Sequence, residues 1–225
     1  YVAGQNLDFT VHLDEAVLLD SNAGTPRLEI TLDNGVTAYA NYLTGAGSNT
    51  LVFRLTVVDG QLDSNGISVG NAIQLNGATL RDALGNDANL TLNGLGNTTG
   101  VLVDAVVPAV GSVTLPGDGN YKAGDVLSFT VNTSEPLLID TSTGTPRLVL
   151  NVGGVTRYAT YVSGAASGAL LFQYSVQAGD TASTGISVNS TLDLNGGRLA
   201  DAAGNNLNPL LTGLGNVGNI FIDTT

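Results

Sequence analysis

The acidic residues that recur at matching places in two halves of this chain carry its most specific chemistry. They are Glu15 and Glu135, Asp20 and Asp140, Asp82 and Asp201, and Asp104 and Asp223; Asn86 and Asn205 accompany the third pair. Carboxylate and amide oxygens are hard donors. Ca²⁺ takes six to eight such oxygens, so these ten residues are candidate calcium ligands. The same residue types also build turns, because Asp and Asn bond their own backbone in loops and Gly85 and Gly204 supply a left-handed position. Both roles select the same residues. Other carboxylates, such as Asp8, Asp14, Asp63 and Asp180, occur in one half only. Residues found once are expected to serve neither the fold nor a shared site.

The two halves are copies. Tyr1-Val2-Ala3-Gly4 is answered by Tyr121-Lys122-Ala123-Gly124, and Gly24-Thr25-Pro26-Arg27-Leu28 by Gly144-Thr145-Pro146-Arg147-Leu148. Asp82-Ala83-Leu84-Gly85-Asn86 returns as Asp201-Ala202-Ala203-Gly204-Asn205. A repeat of this length is a duplicated domain rather than one supersecondary unit. The expected domains are residues 1–104 and 105–225, joined at Asp104-Ala105-Val106-Val107-Pro108. That junction is short, apolar and stiffened by proline. The chain begins and stops within repeats, which reads as a fragment of a longer array.

Other motifs carry less. Gly213-Leu214-Gly215-Asn216-Val217-Gly218 fits a dinucleotide fingerprint, but a strand follows where the fingerprint requires a helix. The first copy also breaks its spacing at Gly94–Gly100. His12 is the only histidine, and the second copy replaces it with Asn132. No nucleophile and orienting acid surround it as catalysis requires. Six of seven tyrosines pair across the copies as Tyr1/Tyr121, Tyr39/Tyr158 and Tyr42/Tyr161, which points to structural hydroxyls. Asn-x-Ser/Thr strings such as Asn89-Leu90-Thr91 are common by chance in so Asn- and Thr-rich a chain.

The net charge of -12, from 7 Lys+Arg and 19 Asp+Glu, opposes nucleic-acid binding. It also opposes docking on anionic lipid. Cysteine is absent, which removes disulfides, thiolate metal sites and cysteine nucleophiles. No apolar run reaches membrane-spanning length.

The elements that must position these residues are strands. Leu127, Phe129 and Val131 alternate with Ser128 and Thr130; Leu28, Ile30 and Leu32 alternate likewise. Asn34-Gly35 and Gly153-Gly154 mark hairpins. About seven strands per complete copy imply an antiparallel sandwich of immunoglobulin type. Ala109–Leu115 is the opening strand of the second copy, and nothing corresponds to it before Tyr1. In a sandwich, alternate loops share a pole. The loops carrying Glu135–Asp140 and Asp201–Asn205 meet at the junction pole if Ile186–Leu199 contributes an odd number of strands, and Asp104 enters there.

Tyr121-Lys-Ala-Gly-Asp125 leading into Leu127-Ser-Phe-Thr-Val131, Ser134-Glu135-Pro136, Gly144-Thr-Pro-Arg-Leu148, Asp201-Ala-Ala-Gly-Asn205 and the Asp223 linker carry a resemblance. Over essentially the whole chain it resembles the tandem immunoglobulin-like repeats of large bacterial surface adhesins, the biofilm adhesins exported by type I secretion. The resemblance implies an extracellular, cell-surface extender stiffened by Ca²⁺, with neighbouring repeats as partners and surface ligands bound by other domains. The family also holds repeats that bind a glycan or protein themselves. A catalytic constellation shared by both copies is not found.

Overall fold

A computed structural model describes residues 1–225. The chain is all-β and divides into two compact units, Tyr1–Val106 and Val107–Thr225. The division falls two residues after the junction expected from the repeat. Each unit encloses its own core. The first gathers residues from Leu7 to Ala105, the second residues from Val110 to Ile222.

In the second unit the main sheet runs in the order Ser187–Val188, Arg147–Val152, Val155–Ser163, Ala169–Ser175, Val126–Thr133 and Val110–Thr114. All these pairings are antiparallel. Alternation explains the central strand: Leu127, Phe129 and Val131 are fully buried, while the residues between them face outward. Opposite them stand Tyr174, Phe172 and Leu170. Leu138–Asp140 pairs with Arg198–Ala200, and Gly119–Tyr121, Ile220–Asp223 and Thr181–Ala182 make a third, small sheet.

The first unit repeats this plan in the order Ser68–Val69, Arg27–Thr31, Thr37–Thr44, Ser48–Thr56, Asn6–Asp20 and Thr79–Arg81. Leu7, Phe9 and Val11 face Leu55, Phe53 and Leu51. Here one 15-residue strand does the work of two. The second copy has Pro136 where the first has Ala16, and proline cannot supply a ladder donor.

Shared residues have local reasons. The Gly-Thr-Pro-Arg string holds because a Cβ at Gly24 would sit 1.7 Å from the Asn76 carbonyl oxygen, and one at Gly144 1.7 Å from that of Asn195. The arginine that ends the string lies over a paired tyrosine, Arg27 on Tyr39 at 3.7 Å and Arg147 on Tyr158 at 3.9 Å. Tyr42 and Tyr161 accept backbone N–H groups of Ala46 and Ala165 at 2.8 and 2.9 Å. Asn34 at φ 59° and Gly35 at φ 73°, like Gly153 and Gly154 at 57° and 89°, turn their hairpins. His12 is an exposed strand residue beside Thr50. Gly213–Gly218 contains no helix.

Two carboxylates found in one copy only contradict the expectation that such residues are incidental. Asp63 and Asp180 are each 2% exposed. Asp63 accepts the Gly66 N–H at 2.6 Å. Asp180 accepts two bonds from the Arg157 guanidinium, at 2.9 and 2.7 Å, one from the Gln177 N–H at 3.0 Å, and one from the Tyr174 hydroxyl. At the same places the first copy has Gln61, Ala38 and Leu55, and Gln61 keeps only the turn bond, accepting the Val58 N–H at 2.9 Å. The three residues changed together, so position-by-position comparison of the copies saw three unrelated differences. Burial alone would raise the Asp180 carboxyl; hydrogen bonds from Arg157, Tyr174 and Gln177 outweigh it and hold it below the ordinary value. Burial, then the adjacent carboxylate, pushes the Tyr174 hydroxyl up to about 12.

Removing one member of a buried ion pair strands the other, whereas exchanging the whole set for apolar groups is close to neutral. Asp180→Ala is therefore expected to cost the second unit about 3 kcal/mol. The triple exchange Arg157→Ala, Tyr174→Leu, Asp180→Gln, which installs the first copy's residues, is expected to recover most of it in urea unfolding. The lowered carboxyl stabilises the folded state above its unfolded value of about 4. That contribution is lost as pH falls through the lower folded value. Acid titration should therefore separate wild type from the triple variant below about pH 4 and not above it.

Candidate metal centre

Asp201 begins a five-residue turn ending at Asn205. Its N–H donates to the Asn205 carbonyl at 3.0 Å. Its Oδ1 accepts the N–H groups of Gly204 at 2.6 Å and Asn205 at 2.8 Å, and its Oδ2 accepts the Asn205 side-chain amide at 2.7 Å. Gly204 takes φ 104°, a conformation open to glycine. The first copy builds the same turn. Asp82 accepts the N–H groups of Leu84 and Asn86, both at 2.8 Å, and the Asn86 amide at 2.7 Å. The Asn86 amide, first among these bonds, holds the Asp82 carboxyl below its ordinary value. The Asp-Ala-x-Gly-Asn string is thus a self-satisfied turn in both copies.

The two turns differ in burial. Asp82 is half-buried and Asn86 exposed, whereas Asp201 is 3% and Asn205 9% exposed. The strand that opens the second unit accounts for loop positions found there and not in the first. The Pro108 carbonyl accepts the Asn208 N–H at 2.9 Å, and Ala109 forms a parallel bridge with Asn208. Ala109 also exchanges hydrogen bonds with Ser134: its N–H donates to Ser134 Oγ at 3.0 Å, and its carbonyl accepts the Ser134 N–H at 2.8 Å. The chain from Pro108 to Ala109 therefore lies between the Ser134–Pro136 loop and the Asp201–Asn208 loop. It ties both to one end of the unit. Thr133 Oγ1 donates to the Glu135 carbonyl at 2.6 Å, shaping the same loop.

Within this unit one carboxylate oxygen of half-buried Glu135 and one of Asp201 lie within 4.8 Å of each other. Both are hard oxygen donors. Three of the four lone-pair sites on Asp201 are taken by its turn, which leaves one on Oδ2. A hard cation of the calcium class matches this donor chemistry, with further oxygens required from backbone or water. Two carboxylates this close repel each other, and a divalent cation between them removes that repulsion.

Asp140, Asp20 and Asp223 act within their own turns. Asp140 accepts the Ser142 N–H at 2.9 Å and stands opposite Arg198 in its strand pair. Its carboxyl is lowered by Ser142 first and by Arg198 after it. A guanidinium neighbour disfavours a cation there. Asp20 accepts the Asn22 N–H at 3.0 Å. Asp223 accepts the Thr225 N–H at 3.0 Å and hydroxyl at 2.7 Å, and Asp104 accepts the Val106 N–H at 3.2 Å. Glu15 is exposed in the irregular stretch between His12 and Val17. No family model matches the chain, and no curated protein matches it either.

The turn role and the cation role separate in metal-free buffer. Asp201→Ala leaves the two buried donors of Asn205, and the N–H of exposed Gly204, without their acceptor and is expected to destabilise the second unit by about 2–3 kcal/mol in the presence of chelator. Asp82→Ala frees the same donors toward solvent and is expected to cost the first unit about 1 kcal/mol. Chemical denaturation of each variant with chelator present checks both.

Proposed function

We propose that the chain consists of two immunoglobulin-like extender repeats of a large bacterial surface adhesin, and that it works as a non-enzymatic spacer. In this reading Ca²⁺ binds at the pole where the linker enters the second repeat. Glu135 and Asp201 supply the carboxylates of that repeat, and Asp104, two residues before the unit boundary, adds a third from the linker. The cation would then fix how one repeat follows the next. Neighbouring repeats are the partners, and ligand recognition belongs to other domains of the parent protein.

The observation that carries this reading is the pairing of Glu135 with Asp201 beside the entering strand, within a fold that the chain builds twice in the same register. The shared residues Gly144, Arg147, Tyr161 and Gly204 serve packing and turns. That is the pattern of a repeated structural part. The acid balance of the chain agrees with an extracellular surface that meets divalent cations.

A ligand that binds only the folded state stabilises it by about 2.7 kcal/mol at a hundredfold excess over Kd. For a unit of this size that is roughly 10 °C in melting temperature. Millimolar Ca²⁺ is expected to raise the second unit's melting temperature by this order, and chelator to reverse it. Glu135→Gln should abolish the rise, whereas replacement of the exposed Asp14 should leave it intact. Small-angle scattering should show a narrower distance distribution with Ca²⁺, and Asp104→Ala should remove that change while sparing most of the melting shift. Superimposable melting and scattering curves with and without Ca²⁺ would reduce these carboxylates to turn formers.

A further inference from the structure

Five asparagines in this chain precede a glycine: Asn34, Asn65, Asn76, Asn93 and Asn195. At such a pair the main chain can attack a side chain, because glycine has no Cβ to shield its nitrogen. The glycine nitrogen reaches the asparagine Cγ only if the peptide plane between the two residues rotates and the side chain swings over it. The fold opposes that motion unequally at the five places.

At Asn65 both reacting groups are tied. The side-chain amide donates to Asp33 at 2.6 Å, and the Gly66 N–H donates to Asp63 at 2.6 Å. At Asn76 and Asn195 the peptide plane is wedged. The Asn76 carbonyl oxygen abuts Gly24 and the Asn195 carbonyl oxygen abuts Gly144, each so closely that a Cβ there would lie 1.7 Å away. Gly77 and Gly196 in turn face the carbonyls of Ala23 and Thr143. The Asn195 amide also donates to the Thr145 carbonyl at 3.2 Å. Asn93 keeps one long bond, 3.5 Å, to the Thr91 carbonyl.

Asn34 has none of these restraints. It sits with Gly35 at the exposed tip of the hairpin that joins Arg27–Thr31 to Thr37–Thr44. Its side chain is bonded to no other residue, and a Cβ on Gly35 would meet nothing within 4 Å. One short helical turn, Asp33–Gly35, is all that holds the plane. The second copy turns the same hairpin with Gly153-Gly154, which offers no side chain to react.

We propose that Asn34-Gly35 is a site of spontaneous deamidation in the folded protein, and that the reaction loosens the first unit's hairpin. The Gly35 nitrogen bonds to Asn34 Cγ and gives its proton to solvent; the side-chain nitrogen leaves as ammonia with a proton from water. Water then opens the cyclic imide. Attack at the side-chain carbonyl yields aspartate, and attack at the main-chain carbonyl yields isoaspartate. Either product sets a carboxylate beside Asp33, which already accepts the Ser64 N–H at 2.9 Å and hydroxyl at 2.8 Å. Isoaspartate also inserts a methylene into the main chain between Leu32 and Val36, where the Leu32 N–H donates to the Val36 carbonyl at 2.8 Å. The inference needs neither calcium nor an adhesin.

The test incubates the intact 225-residue chain in mildly alkaline buffer, folded and in parallel in guanidinium, followed by peptide mapping that separates asparagine from its two products. In guanidinium all five sites are expected to convert at comparable rates. In the folded chain Asn34 should convert at least about tenfold faster than Asn65, Asn76 and Asn195, which react only through local opening. Asn34→Gly, which copies the second unit's turn, should abolish conversion in that peptide and leave the others unchanged. Amide exchange at Leu32 and Val36 should quicken in the aged wild type and not in the aged variant. Comparable folded-state rates at Asn34 and the three restrained sites overturn the proposal. So does an unconverted Asn34 over a period in which the unfolded chain reacts, and unchanged exchange after conversion sinks the loosening.

Discussion

The segment Pro108–Thr114, which carries the strand Val110–Thr114, is the contact on which the rest of the second unit depends. It closes the outer edge of Val126–Thr133 and completes the burial of Phe129 and Val131. Its first residues lace together the loops of Glu135 and Asp201. A sheet edge is costly in two ways, because it exposes apolar side chains and leaves backbone donors and acceptors without partners. One five-residue strand resolves both. It also sets the two carboxylates at one end of the unit. The first unit builds the same main sheet, and its Asp82 turn is more exposed than the Asp201 turn.

The two copies also reach a common core by different chemistry. Where the first packs Ala38 and Leu55 and holds a turn with Gln61, the second inserts a guanidinium, a phenol and a carboxylate that satisfy one another. A buried ionic set is no more stabilising than a well-packed apolar one. It is, however, all-or-none: each group is tolerable only with the others present. This coupling explains why three positions differ together. It also makes Asp180 a poor stand-in for an incidental carboxylate, since its loss acts through Arg157.

The pole of the second unit combines two demands on one residue. Asp201 must accept three hydrogen bonds to hold its own turn and still offer an oxygen toward Glu135. A carboxylate has the lone pairs for both tasks, whereas a hydroxyl does not. An amide would turn a donor toward the Asn205 amide. The turn requirement alone explains Asp82 in the first unit. A cation at the pole, as proposed, would draw on what the turn leaves over, and its affinity would be set by the further oxygens around it.

Sequence determined what is local and periodic. Alternation at Leu127, Phe129 and Val131 placed the core strand, because successive side chains on a strand face opposite ways. Asn34-Gly35 and Gly153-Gly154 located hairpins through their positive φ angles, and the Asp201–Asn205 string announced a turn. The all-β class and the duplicated plan followed from these. Tertiary structure decided what depends on distant neighbours. Asp63 and Asp180 read as incidental because their burial comes from residues that adjacency does not reveal. Asp140 and Asp201 read as equals, yet one stands opposite Arg198 and the other beside Glu135. The groove lined by Thr10–Leu13 and Leu95, some eighty residues apart in the chain, likewise exists only in the folded sheet.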